Sequence, residues 1–124
     1  MAKILVVEDD DMLKDMMVEA LGLMDYEVLT AGNGCEALAR VEASPPDLIL
    51  MDIGMPEMDG YEATRRLKAS ESTRAIPIVA LTAHASNSDR QKVMEAGADD
   101  YESKPVDFAR LFQKIDTLLK RNGR

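Results

Sequence analysis

Three stretches of this chain are apolar at four successive positions, a pattern that suits a strand covered on both faces: Ile4-Leu5-Val6-Val7, Leu48-Ile49-Leu50-Met51 and Ile78-Val79-Ala80-Leu81. Glu27-Val28-Leu29-Thr30-Ala31 is more polar and predicts a strand nearer an edge, and a further short strand is expected from Asp100 to Ser103. Helical spacing fills the intervals. Leu13, Met16, Met17, Ala20, Leu21 and Met24 recur every three or four residues, which predicts a helix over 12–24 whose methionines fill gaps in the core. Asn33 followed by Glu36 predicts a capped start for a second helix, carried through Leu38 and Val41 and stopped before Ser44-Pro45-Pro46. A third helix is expected over Tyr61–Ala69 and a fourth over Ser86–Ala96, closed by Gly97. The fourth has a thin apolar face of Val93, Met94 and Ala96, and is expected to be the loosest element. Phe108, Leu111, Phe112, Ile115, Leu118 and Leu119 form the cleanest stripe, followed by a polar, frayed end at Lys120–Arg124.

Five strands alternating with five helices predict a parallel sheet with helices on both faces. Right-handed crossovers and the common doubly wound arrangements favour strand order 2-1-3-4-5, which makes the first and third strands neighbours at the switch point. The strand-terminating residues are then gathered together. They are Glu8 and Asp9 after the first strand, Asp52 at the end of the third, Thr82 at the end of the fourth and Lys104 after the fifth.

Composition narrows what such a pocket serves. The 124 residues suffice for one domain with a real core, and the excess of 23 Asp+Glu over 15 Lys+Arg gives a net charge of −8. Nucleic acid and anionic lipid are therefore poor direct partners. The single Cys35 reads as a small helix residue and forms no internal disulfide. Acids interrupt the N-terminal apolar run before a signal-peptide core is complete, and no later run is long enough to span a membrane, so the cytoplasm is the expected compartment.

Two like charges about 4 Å apart at an effective dielectric of about 20 repel by about 4 kcal/mol, so Glu8, Asp9 and Asp52 call for a cation between them. An all-oxygen donor set with room for water suits Mg²⁺. Metal and the Lys104 ammonium together would neutralise phosphoryl oxygens while a carboxylate attacks phosphorus, with Thr82 adding a hydroxyl. Asp52, central among the four strand ends, is the expected nucleophile.

Glu8-Asp9, Asp52, Thr82-Ala83 and Lys104-Pro105, with Met55-Pro56-Glu57-Met58-Asp59-Gly60 after the central acid, resemble the receiver domain of two-component response regulators along essentially the whole chain. The resemblance implies a flavodoxin-like α/β fold and a signalling role rather than that of an enzyme. Asp52 would take a phosphoryl group from phosphohistidine on a histidine kinase or histidine phosphotransfer protein. It further implies Mg²⁺ bound by Asp9, Asp52 and the Gly54 backbone carbonyl, with Glu8 acting through water. Lys104 would hold a phosphoryl oxygen, Thr82 would move toward the phosphate, and Tyr101 would change rotamer as Thr82 vacates space. The Lys104-Pro105 bond is expected to be cis, and the face of the fourth helix, last strand and last helix to be the switched surface for a downstream protein. The expected organisation is a stand-alone, monomeric receiver over 1–121 with a tail at 122–124. Glu8 stands where many relatives have Asp, and Gly54 and His84 occupy positions overlooking the path of attacking water. An aspartate-nucleophile, Mg²⁺-dependent phosphatase is the main alternative, but that family has a second Asp where this chain has Gly54. A flavin mononucleotide site would need donors after the first strand, where Glu8-Asp9-Asp10 would repel phosphate.

Overall fold

The computed structural model describes residues 2–55, 58–83 and 87–121. Pro56 and Glu57 of the loop after Asp52, His84, Ser86 and the 122–124 tail lie outside the described residues. In chain order the elements are β1 (Lys3–Val7), α1 (Asp11–Leu23), β2 (Glu27–Ala31), α2 (Gly34–Ala43), β3 (Leu48–Asp52), α3 (Gly60–Ala69), β4 (Ile78–Thr82), α4 (Asn87–Ala96), β5 (Asp100–Ser103) and α5 (Phe108–Arg121). The strands form one parallel sheet in the order β2-β1-β3-β4-β5, as the alternation predicts.

The apolar strands are the interior ones because only there do both faces meet helices. Ile4, Val6, Leu48, Leu50, Val79 and Leu81 pack with Met17 and Leu21 of α1 and Leu111 and Ile115 of α5. Their neighbours Leu5, Val7, Ile49 and Met51 point the other way, against Ala37 and Val41 of α2 and Ala63 and Leu67 of α3. Each of these large side chains contributes about 1.5–3 kcal/mol by leaving water, which holds the strand ends in fixed register. Among the described residues four helices start on carboxylate or amide caps. Asp10 accepts from the Met12 N–H (3.0 Å), Asn33 from Glu36 (2.8 Å), Asp59 from Glu62 (2.9 Å) and Asp107 from Arg110 (3.1 Å), each worth about 1 kcal/mol.

Some expectations about individual side chains need correction. Met17 is buried, but Met12, Met16 and Met24 are 74%, 50% and 50% exposed, because α1 offers the sheet only the stripe through Leu13, Met17 and Leu21. Cys35 is in a helix, as expected, but is exposed. The last helix continues through Lys120 and Arg121, with Lys120 paired to Asp116 at 3.0 Å. On α4 the thin face holds: Val93 and Ala96 are buried while Met94 is 45% exposed. Gly97 follows at φ 111°, a left-handed position that favours glycine.

At the β5 edge, Glu102 lies opposite Leu81 in the ladder and is only 1% exposed. Its carboxylate is held by Arg110 (Nε 3.0 Å, Nη2 2.6 Å to Oε2) and by Lys114 (3.0 Å to Oε1). Burial opposes ionisation, yet the hydrogen bonds and charges of Arg110 and Lys114 outweigh it and leave the Glu102 carboxyl below its ordinary 4.5. A lowered acid contributes stability above its unfolded pKa and loses it as pH falls through the folded value. Glu102→Gln should therefore cost roughly 1–2 kcal/mol at pH 7. The gap between the two proteins should close as urea titrations are taken below about pH 4.

Candidate functional site

Asp52 closes β3 at the carboxyl edge of the sheet, beside the residues that leave β1. A strand that is apolar to its last position delivers its first acid to the rim but not beyond it, and Asp52 is 3% exposed. Glu8 is fully buried and Asp9 is exposed, yet carboxylate oxygens from all three lie within 4.8 Å of one another. Lys104, arriving from β5, places its Nζ 3.1 Å from Asp52 Oδ1 and 3.2 Å from Glu8 Oε1. The Gly54 N–H also donates to Asp52 Oδ1 at 3.2 Å, and the Asp10 N–H to Glu8 Oε2 at 3.1 Å.

These groups shift one another. Burial, with the hydrogen bond and charge of Asp52 behind it, raises the Glu8 carboxyl to about 7 against the pull of the Asp10 N–H and Lys104. Burial alone would lower the Lys104 ammonium, but Asp52 and then Glu8 hold it above its ordinary value. One ammonium is thus shared between Asp52 and Glu8, with Asp9 close by. Glu8 Oε1 is buried and accepts no hydrogen bond, with the Lys104 ammonium 3.2 Å away. An orphaned carboxylate oxygen beside two further carboxylates fits a hard divalent cation and its waters.

The cleft above them has a volume of about 450 Å³ and is bordered by Asp52, Gly54, Tyr61, Thr82, Asp89 and Lys104. A hollow of similar volume between α2 and α3, around Cys35 and Arg66, gathers no such set. Thr82 is 4% exposed at the end of β4. The structure therefore brings together Glu8, Asp9, Asp52, Gly54, Thr82 and Lys104. Tyr101 stands apart, paired with Ala80 in the ladder, its ring flanked by Arg90 of α4 (5.2 Å) and Lys114 of α5 (5.1 Å). The Lys104-Pro105 peptide is cis.

Tyr61 and Asp89 of the cleft carry no strand-end signal, because they come from helix starts, whereas Asp59 belongs to the loop motif after Asp52. Asp59-Gly60 before Glu62 was the available signal: Asp59 caps α3 and Gly60 lets that cap sit against β3. A Cβ on Gly60 would strike the Asp52 carbonyl oxygen and come within 2.7 Å of Ile53 Cα. At Gly54, which borders the cleft, a Cβ by contrast meets nothing within 4 Å.

A doubly wound sheet with an acidic pocket at its switch point defines a class of ligand-binding α/β proteins. Within that class, the response regulator receiver domain family model matches residues 4–116, and the chain belongs to this family. Response regulator PleD of Caulobacter vibrioides is 40% identical over 119 residues, covering 96% of this chain and 26% of PleD. The polar-differentiation response regulator DivK of Brucella anthropi is 35% identical over 116 residues, 94% of each chain. The chain thus spans about a quarter of one relative and nearly all of the other. The receiver domain of a sensor histidine kinase from Pseudomonas aeruginosa PAO1 superposes with a TM-score of 0.89 at 36% identity, covering 96% of this chain and 98% of that one. That crystal structure has a magnesium ion coordinated in the active site cleft. Chemotaxis protein CheY4 of Vibrio cholerae gives 0.90 at 31% identity, covering 95% and 98%. The chain is a receiver domain of the CheY-like type with a phosphoacceptor signalling role, and the phosphatase alternative is not favoured.

Gly60→Ala should lower stability by about 1–3 kcal/mol, because the added methyl meets backbone rather than a side chain that can swing away. The urea midpoint measures this.

Proposed function

We propose that Asp52 is the phosphoacceptor of a signalling relay. Its carboxylate attacks the phosphorus of a phosphohistidine on a kinase or phosphotransfer protein. The new P–O bond forms as the P–N bond breaks, and the imidazole leaves with the bonding pair. The observation that carries this reading is the contact of Lys104 Nζ with both Asp52 and Glu8 at the mouth of a cleft large enough for a phosphoryl group.

Asp52 Oδ1 is oriented by the Gly54 N–H and by Lys104, whose ammonium is placed to follow negative charge onto the transferred oxygens. Asp9, Asp52 and the Gly54 carbonyl would hold Mg²⁺, with Glu8 acting through water, and the ion would supply the charge neutralisation that one lysine cannot. Thr82 borders the same cleft and is assigned the hydroxyl that closes on the phosphoryl group. Tyr101 is assigned to the linked surface formed by α4, β5 and α5, where a downstream protein would read the added charge.

The receiver unit is assigned to 1–121, spanning the family match and α5, with 122–124 as a tail. It performs one transfer per phosphoryl group and releases it by slow hydrolysis, rather than turning over a substrate. Among the described residues no helix is long and apolar enough to cross a membrane. The cytoplasm is proposed as the compartment, since a chain with one cysteine and no internal disulfide suits reducing conditions.

Incubation with acetyl phosphate and Mg²⁺ should add a single phosphoryl group to the intact mass, and Asp52→Asn should take up none. Sustained hydrolysis of a phosphomonoester would instead identify a phosphatase. Mg²⁺ at tenfold its Kd should stabilise the protein by about 1.4 kcal/mol in thermal denaturation. Asp9→Asn should lose most of that gain.

A further inference from the structure

We propose that Glu102, bound to Arg110 and Lys114, is a positioning residue for Lys104: the ion cluster around this buried carboxylate closes the segment from which the ammonium reaches Asp52. The proposal rests on the reading of Asp52 as phosphoacceptor. β5 is an edge strand of four residues, paired only with β4, so the sheet secures just one side of it. At Lys104 the chain leaves that strand, its N–H making a rung to the Thr82 carbonyl at 2.8 Å. Lys104, the cis Pro105, Val106 and Asp107 then lead into α5.

The ion cluster ties the two ends of this segment together. Glu102 lies two residues before Lys104, and Arg110 lies in the first turn of α5, eight positions from Glu102. The guanidinium grips the carboxylate through Nε (3.1 and 3.0 Å) and Nη2 (2.6 Å). Asp107 steadies the same arginine, its Oδ1 accepting from the Arg110 N–H at 3.1 Å and its Oδ2 lying 4.0 Å from Nη1. From the second turn, Lys114 reaches Glu102 Oε1 at 3.0 Å and donates to the Tyr101 carbonyl. The segment carrying Lys104 is therefore a closed loop.

Stability alone does not call for charge at this position. Glu102 is opposite Leu81, whose core neighbours Leu111 and Ile115 would accept an apolar side chain. A buried carboxylate costs desolvation that its ion pairs have to offset, so an apolar residue of the same volume is often no less stabilising. What the guanidinium fork adds is direction, since its bonds to a carboxylate form in one relative orientation. Phosphoryl transfer needs that property, because a reacting group misplaced by about 1 Å can cost on the order of 100-fold in rate.

The test uses Glu102→Leu and, independently, Arg110→Met, in which Lys114 still pairs with the carboxylate. Acetyl phosphate labelling at saturating Mg²⁺ should slow roughly 10- to 100-fold in the folded variants. Mg²⁺ affinity, set chiefly by Asp9 and Asp52, should change far less than the labelling rate. In a Lys104→Met background either substitution should cause no further slowing, the mark of action through that lysine. The side-chain ¹⁵N signal of Lys104 should broaden or shift in both variants. Undiminished labelling, equal slowing without Lys104, or an unchanged ammonium signal would each overturn the proposal. If the unaltered protein takes up no phosphoryl group, the phosphoacceptor reading fails. The ammonium signal then decides the positioning role by itself.

Discussion

A parallel sheet points the carboxyl ends of its strands in one direction, and here that geometry forces carboxylate oxygens of Glu8, Asp9 and Asp52 within 4.8 Å of one another, with one ammonium against two of them. Such crowding survives only because the backbone beneath it cannot relax. Ile4 to Val7, Leu48 to Met51 and Ile78 to Leu81 are all fully buried, and moving any acid outward would drag a packed strand with it. The apolar interior thus holds the acids in place against their mutual repulsion, which leaves the pocket predisposed to receive a cation and a group that bridges cation to lysine.

Two buried glutamates show how neighbours, rather than residue type, decide the state of a carboxyl. Glu8, buried and beside Asp52, rises to about 7, whereas Glu102, also buried, faces two cations and falls below its usual value. The first shares the Lys104 ammonium with Asp52, and the second is paired with both Arg110 and Lys114. They lie at opposite ends of one line of contacts, with Lys104 touching Glu8 and Asp52, and Glu102 anchored two residues before it. Function and framework share this corner of the molecule.

Much of this was legible in the sequence because an interior parallel strand leaves a simple trace: an apolar run that stops at the residue it presents. That trace located Glu8, Asp52 and Thr82, Lys104 followed from the short strand before Pro105, and alternation with helices supplied the strand order. What escaped notice has equally physical causes. Helical spacing marks a stripe but not how much of it the sheet can cover, so Met16 and Met24 looked internal and are half exposed. Glu102 looked like an ordinary polar letter in a short edge strand, since its cations are eight and twelve residues away on another element. Tyr61 and Asp89 border the cleft from helix starts that no strand pattern reveals.

The exposed methionines of α1 also bear on how the molecule ages. Thioether oxidation follows access, and the sulfoxide is polar enough to disrupt a packed interior. Met12, Met16 and Met24 stand in water, while Met17 and Met51 are sealed beneath the helices. Oxidants therefore meet first the sulfurs whose conversion leaves the sheet intact, and the outer face of α1 acts as a sacrificial coat for the core.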